Sequence, residues 1–299
     1  MSELLLALIL GHFMADYWFQ TTKIVKLKTS EDFKVKISGL SIHVFIHLIT
    51  YVLIVSLIHK LSSKLFVCLL FIVLLHFITD FIKELLNQFV CKHVFSRVCA
   101  YIFDQIVHVF TIIGALTYFK MINYDLDVWK EFINALLFEK EITLSHLDKF
   151  FAFLIVIIIT THFSAYFLEN LLDDIKPLNN SFVDSKTEMK NVKTMKRHGK
   201  HLELSPIEEN TVEETLVHTH YAEPQFKIGK YIGMIERIII MILVSINAYT
   251  GITFLAALKA LTRFKQFEDK RFAEYYLIGN LLSMLIGIIS GYLITLILK

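Results

Sequence analysis

The sequence predicts an all-α fold, a polytopic helical bundle in a membrane, and three observations carry that expectation. Of the 299 residues, 55% are hydrophobic. Mean hydropathy is positive, at +0.58. Apolar runs near the ~20 residues that cross a bilayer recur at about 3–20, 40–59, 64–82, 98–119, 150–171, 231–249 and 273–298. With a shorter stretch at 250–264, these predict seven or eight crossings and a polar cytoplasmic insert.

The first run has no basic leader and no A-x-A-like cleavage site, and it contains His12 and Asp16. It is therefore read as a retained membrane helix, not a cleaved signal peptide. The connection 21–39 carries Lys23, Lys26, Lys28, Lys34 and Lys36, which marks it as cytoplasmic and puts the N-terminus outside. Three further runs with short links complete a four-helix unit over 1–125. Residues 126–172 are expected to hold an amphipathic helix at about 128–138 on the outer surface, built on Val128, Trp129, Phe132, Ile133, Leu136 and Leu137, and then the fifth crossing. The connection 120–149 balances its lysines with Asp125, Asp127, Glu131, Glu139, Glu141 and Asp148, as an outside loop does.

Residues 173–228 form the polar cytoplasmic insert, with Lys193, Lys196, Arg197 and Lys200 and the acidic run Glu208, Glu209, Glu213 and Glu214. Its His198, His201, His218 and His220 follow no compact ligand spacing and are read as solvated. Residues 229–299 return to membrane helices bearing Glu236, Arg237, Lys259, Arg263 and Glu274, which need partners or headgroups. The region around Asn247, Thr250 and Gly251 suggests a discontinuous helix of the kind transporters use. Net charge is only +2, which predicts no nucleic-acid partner. Cys68, Cys91 and Cys99 show no paired spacing and receive no role. Gly-rich phosphate loops, dinucleotide fingerprints and G-x-S-x-G elements are absent from the sequence.

Chemistry concentrates in four pairs at four-residue spacing: His12/Asp16, His43/His47, His76/Asp80 and Asp104/His108. That step keeps both side chains on one helix face. Under the topology drawn from Lys and Arg in the loops, all four pairs fall at one depth, in the cytoplasmic half. Ionisable groups are costly inside a membrane, so matched pairs at one depth predict a single polar centre. One such pair would be explained by hydrogen bonds within the bundle; four favour a functional centre.

Imidazole and carboxylate together suit zinc, manganese or iron, with zinc the first expectation for this divalent metal. Five His and three Asp exceed one tetrahedral shell, so one ion with an outer shell and two adjacent ions both remain open. Asp16, Asp80 and Asp104 are the catalytic candidates, as bridging ligands or as the base for an activated water. Gln20, four residues beyond Asp16, and Gln105, beside Asp104, would orient substrate or solvent. Lys83 would anchor an anion or simply snorkel to headgroups. Arg237, Lys259 and Arg263 would bind an anionic headgroup, while Glu236 and Arg237 equally well pair with charges on neighbouring helices.

The set His12-x-x-x-Asp16-Tyr17-x-x-Gln20, His43, His47, His76-x-x-x-Asp80-x-x-Lys83 and Asp104-Gln105-x-x-His108 resembles the domain of unknown function 3307 family of bacterial membrane proteins. The block Gly229-x-x-Ile232-Gly233-x-x-Glu236-Arg237, with Lys259-x-x-x-Arg263-Phe264 and Glu274-Tyr275, looks like a tail that accompanies it. Tyr17 stands where the family pattern has Phe. The resemblance implies residence in the bacterial cytoplasmic membrane and the identity of the site, and leaves the reaction unassigned. A weaker likeness is to predicted membrane-bound metal-dependent hydrolases.

The leading expectation is a membrane-embedded metal-dependent hydrolase acting near the cytoplasmic leaflet on a phosphoester or acyl bond of a lipid or other amphiphile. A proton or divalent-metal transporter or channel using the same centre is the alternative. A sensor or scaffold would instead bind a cytoplasmic partner through 173–228 and leave the His/Asp set dispensable. Membrane lipids are the expected surroundings, and a homo-oligomer stays open.

Overall fold

The computed structural model describes residues 3–86, 94–122, 144–176 and 224–298. The amphipathic helix expected at 128–138, Cys91 and nearly all of the 173–228 insert, with its four histidines, lie outside them. Residues 1–176 and 230–299 form one compact unit. Among the described residues there is no strand.

Helix α1 (Glu3–Met14) runs straight into a wide π-type turn, Ala15–Phe19. It is apolar on every side, which suits a helix buried on every side. One face packs Leu5 and Leu8 against Tyr51, Leu69, Ile72 and Leu116, and the other packs Leu6, Leu10 and Phe13 against Phe151 and Ile158. It is the central post of the bundle.

The connection expected over 21–39 is mostly helical. Thr21 caps α2 (Thr22–Lys28), and the Asp32 carboxylate caps α3 (Phe33–Ile58) by accepting from the backbone N–H of Lys34 at 2.8 Å and Val35 at 3.2 Å. Such a cap satisfies two orphan amides, so α3 starts ahead of the apolar run that hydropathy alone detects. A methyl group at Gly39 would sit 2.6 Å from the Leu27 carbonyl carbon and 2.6 Å from the Lys28 nitrogen. Only glycine lets the two backbones approach that closely. Gly39→Ala is expected to push α2 off α3 and cost about 1–3 kcal/mol, read as a lower unfolding midpoint in detergent; an unchanged midpoint would refute the contact.

Helices α4 (Ser63–Leu86) and α5 (Val94–Tyr118) follow. Helix α5 ends on Lys120 in the left-handed region, φ 50°, with bonds from Lys120 N to Thr117 O and Met121 N to Leu116 O, the Schellman pattern. Helix α6 (His146–Ile175) is capped by Ser145 and widened by a second π-type turn at Ile159–Phe163. Among the described residues, five helices are long and apolar enough to cross a membrane: α3, α4, α5, α6 and α9 (Lys270–Leu298). Leu53, Leu57, Phe95, Phe103 and Phe110 face outward, an inside-out distribution that only an apolar solvent tolerates.

Helices α7 (Pro224–Ser245) and α8 (Tyr249–Thr262) correct the expected discontinuous helix. Asn247 takes φ 59°, and bonds from Asn247 N to Val244 O and Ala248 N to Leu243 O close a Schellman motif. The chain then folds back, so that Ile252 packs against Ile240 and Val244, and Lys259 pairs with Glu236. This is a helical hairpin, stopped by its own capping, rather than one membrane helix with an unwound middle. Helix α9 seals against α7, where a methyl on Gly291 would meet the Met241 carbonyl oxygen at 2.8 Å, the close approach that small residues give membrane helices.

Candidate metal centre

All eight paired residues meet. His12 and Asp16 come from α1 and its π-type turn, His43 and His47 from α3, His76 and Asp80 from α4, and Asp104 and His108 from α5. The four-residue step is what puts each pair on one face, and the short links make the neighbouring helices antiparallel. His12 and His47 are completely buried, and His43, His76, His108 and Asp80 are at most 2% exposed.

Asp16 Oδ1 lies 3.0 Å from His47 Nε2 and 3.3 Å from His43 Nε2. His43 Nε2 is 3.3 Å from His76 Nε2 and 3.5 Å from Asp80 Oδ2. His108 Nε2 is 3.4 Å from both Asp80 Oδ1 and Asp104 Oδ1. Two groups bring their ligand atoms within 4.8 Å of one another: Asp16, His43, His47 and His76, and then His76, Asp80 and His108. Asp104 and His12 fall outside both groups.

Gln105 ties the outer members in. Its Nε2 donates to Asp16 Oδ2 at 3.2 Å and to Asp104 Oδ2 at 3.3 Å, and its Oε1 stands 3.3 Å from His12 Nε2. Lys83 Nζ is 2.8 Å from Asp104 Oδ2, so the lysine read as a headgroup anchor or a snorkelling chain points back into the centre. Gln20 ends the π-type turn half-buried and makes no hydrogen bond to the cluster among the described residues.

Lys28 was counted in the sequence as a charge in a cytoplasmic loop, and this is corrected: it is 6% exposed, and its Nζ lies 2.5 Å from Asp80 Oδ2. Neither periodicity nor spacing ties position 28 to position 80. The one local signal is Gly39, whose missing side chain admits α2. Two tyrosines were also passed over. Tyr101 donates to the Phe163 carbonyl at 3.2 Å, so Tyr17 donates to Tyr101 at 2.7 Å, and this chain joins both π-type turns through α5.

The arrangement calls for positive charge. The Thr79 hydroxyl donates to the carbonyls of His76 and Leu75, so toward His108 Nδ1, at 3.3 Å, it acts as acceptor. That puts a proton on Nδ1, the tautomer-fixing contact common behind metal-bound imidazoles. The Nε2 lone pair then faces two carboxylates, which requires a positive centre between them: a second proton or a metal ion. Three carboxylates against two lysines leave one negative charge when the imidazoles are neutral, which also favours a cation. The nitrogen and oxygen donors fit zinc, manganese or iron.

The C-terminal candidates lie elsewhere. Arg237 donates through Nε to the Thr160 carbonyl at 2.6 Å, through Nη2 to the Thr161 carbonyl at 3.1 Å and through Nη1 to Ser283 Oγ at 3.1 Å. Ser164 also reaches these two carbonyls of the π-type turn, through its hydroxyl and, at Thr161, its backbone N–H, and the guanidinium adds a second partner to each. Lys259 is paired with Glu236, and Arg263, half-buried, donates to Gln266 at 3.0 Å.

Fold and site together define an all-α protein with membrane-length helices enclosing a buried His/Asp centre. Residues 4–137 match the family described as protein of unknown function (DUF3307), a stretch that includes all eight cluster residues. Neither the curated proteins nor the solved structures provide a match to the chain.

Proposed function

We propose that this protein is a membrane-embedded metal-dependent hydrolase, acting near the cytoplasmic leaflet on a phosphoester or acyl bond of a lipid or amphiphile. The observation that carries the reading is the convergence of the inward-facing His and Asp atoms of four helices within 4.8 Å in two groups that share His76. An imidazole nitrogen serves one ion, so the shared His76 favours a single ion held by Asp16, His43, His47 and His76, with Asp80 and His108 beside it. When bound, a divalent ion supplies Lewis-acid polarisation and makes water acidic. Asp104 stands outside both groups, and we assign it the proton of the attacking water. The hydroxyl of that water goes to the acyl or phosphoryl centre and the proton passes to the leaving group. Lys83 orients Asp104 through their 2.8 Å contact, and Gln105 spans from Asp104 to Asp16 to fix the water's side of the site.

In this reading the chain crosses the bacterial cytoplasmic membrane seven or eight times with its N-terminus outside. The test is elemental analysis of protein purified without chelators. Near-stoichiometric zinc, manganese or iron is expected, lost in His43→Ala/His47→Ala and kept in Asp104→Asn. Protein that folds yet takes up none of these metals, even after reconstitution, would overturn the reading. The buried Lys28–Asp80 pair and the partly exposed Lys83–Asp104 pair would then favour a proton-coupled transporter, since such pairs also build intramembrane relays.

A further inference from the structure

Helices α5 and α6 touch near the Tyr101–Phe163 bond and part beyond it, leaving a groove of about 500 Å³. Phe13 of α1, with Gln105 and Ile113 of α5, lies at its floor, between 6% and 8% exposed. Ile159 and Phe163, from the second π-type turn, form one wall, and Ile106 and Phe110 form the other. Gln105 is the one polar group in the lining, and it is the residue that bonds His12, Asp16 and Asp104. An otherwise apolar slot therefore ends on the outer edge of the His/Asp cluster.

We propose that this groove holds one hydrocarbon chain of a membrane lipid and delivers the lipid's polar linkage to Gln105. Both walls belong to membrane-length helices, so the slot opens into lipid and not into water. Its volume falls within the ~300–1,000 Å³ of small-molecule sites. The depth selects the occupant. A helix from a second copy or another protein is ~10 Å across and cannot reach floor residues that barely admit a water-sized contact, whereas a single file of methylenes can. Phe13 and Phe163 supply flat, rigid faces for such a chain. The polar end is equally suited, since a Gln side chain offers both a donor and an acceptor to an ester or phosphoester. The chain-binding role stands on the groove alone; its role in presenting substrate rests on the hydrolase reading.

The test uses full-length protein in nanodiscs of phosphatidylglycerol doped with the same lipid bearing a diazirine near the acyl terminus. After irradiation, adducts are mapped by peptide mass spectrometry. Adducts are expected to concentrate on the α5 and α6 segments facing the groove, above equally outward residues of α4 such as Leu74. Val109→Trp, which fills the slot, should lower groove labelling roughly tenfold, the loss expected when about two methylenes lose burial. Ile106→Trp, at the exposed rim, provides a second variant should Val109→Trp not fold. Uniform labelling of all outward faces, or labelling unchanged in the folded tryptophan variants, would overturn the proposal and leave the groove covered by ordinary surrounding lipid or by protein. The readout needs neither metal nor turnover, so strong groove labelling in a metal-free protein would sink the hydrolase and spare the groove; metal without labelling would do the reverse.

Discussion

Asp80→Ala is expected to destabilise the protein by about 3–5 kcal/mol, the usual cost of leaving a buried charge without its partner. Lys28 Nζ sits 2.5 Å from Asp80 Oδ2 at the end of a short helix clamped on Gly39, so it cannot swing to water without dislodging α2. His43 and His108 lose the same carboxylate. The check is denaturant unfolding in micelles of Asp80→Ala, Lys28→Met and the double variant. The double variant should be more stable than Asp80→Ala, because an apolar pair of similar size replaces a buried ion pair at little cost. Equal instability of the two would mean that Lys28 is not what Asp80 neutralises.

Arg237→Ala is expected to cost about 3 kcal/mol, roughly 1 kcal/mol for each of three hydrogen bonds, while metal content stays at the wild-type level. The guanidinium fork reaches Thr160, Thr161 and Ser283 at once. Arg237→Lys should recover only part of the loss, since one ammonium cannot reproduce a planar fork. Because Phe163 lies in the turn that Arg237 braces and also accepts from Tyr101, the groove should loosen with it, seen as lower lipid labelling. Stability unchanged with turnover abolished would instead return Arg237 to headgroup binding, as its charge in a membrane helix first suggests.

The difference between Asp80 and Arg237 shows how far a sequence of this kind can be read. Asp80 was legible because its partner in the pattern, His76, stands one helical turn away and three other pairs repeat the step. Arg237 was not, because two of its acceptors are main-chain carbonyls of a π-type turn on a distant helix, and nothing in Ile159–Phe163 announces that turn. Lys28 failed for a related reason. A lysine between two apolar runs has the composition of a loop, and composition carries no information about a contact 52 positions away. The hairpin at Asn247 lay between these cases: the interruption was visible, but a turn and an unwound segment look alike until Ile252 is seen against Ile240.

By itself the sequence determined the helical class, the apolar character of the runs and the His/Asp set, because those depend on hydropathy and on the 3.6-residue period, which are local properties of the chain. Tertiary structure alone decided that Lys28, Lys83 and Gln105 bond into the centre of the four pairs, that Arg237 braces a widened turn, and that α5 and α6 part to leave a groove beside Gln105. Those depend on where helix axes cross and how closely backbones approach. Such distances are set by packing among residues far apart in the chain.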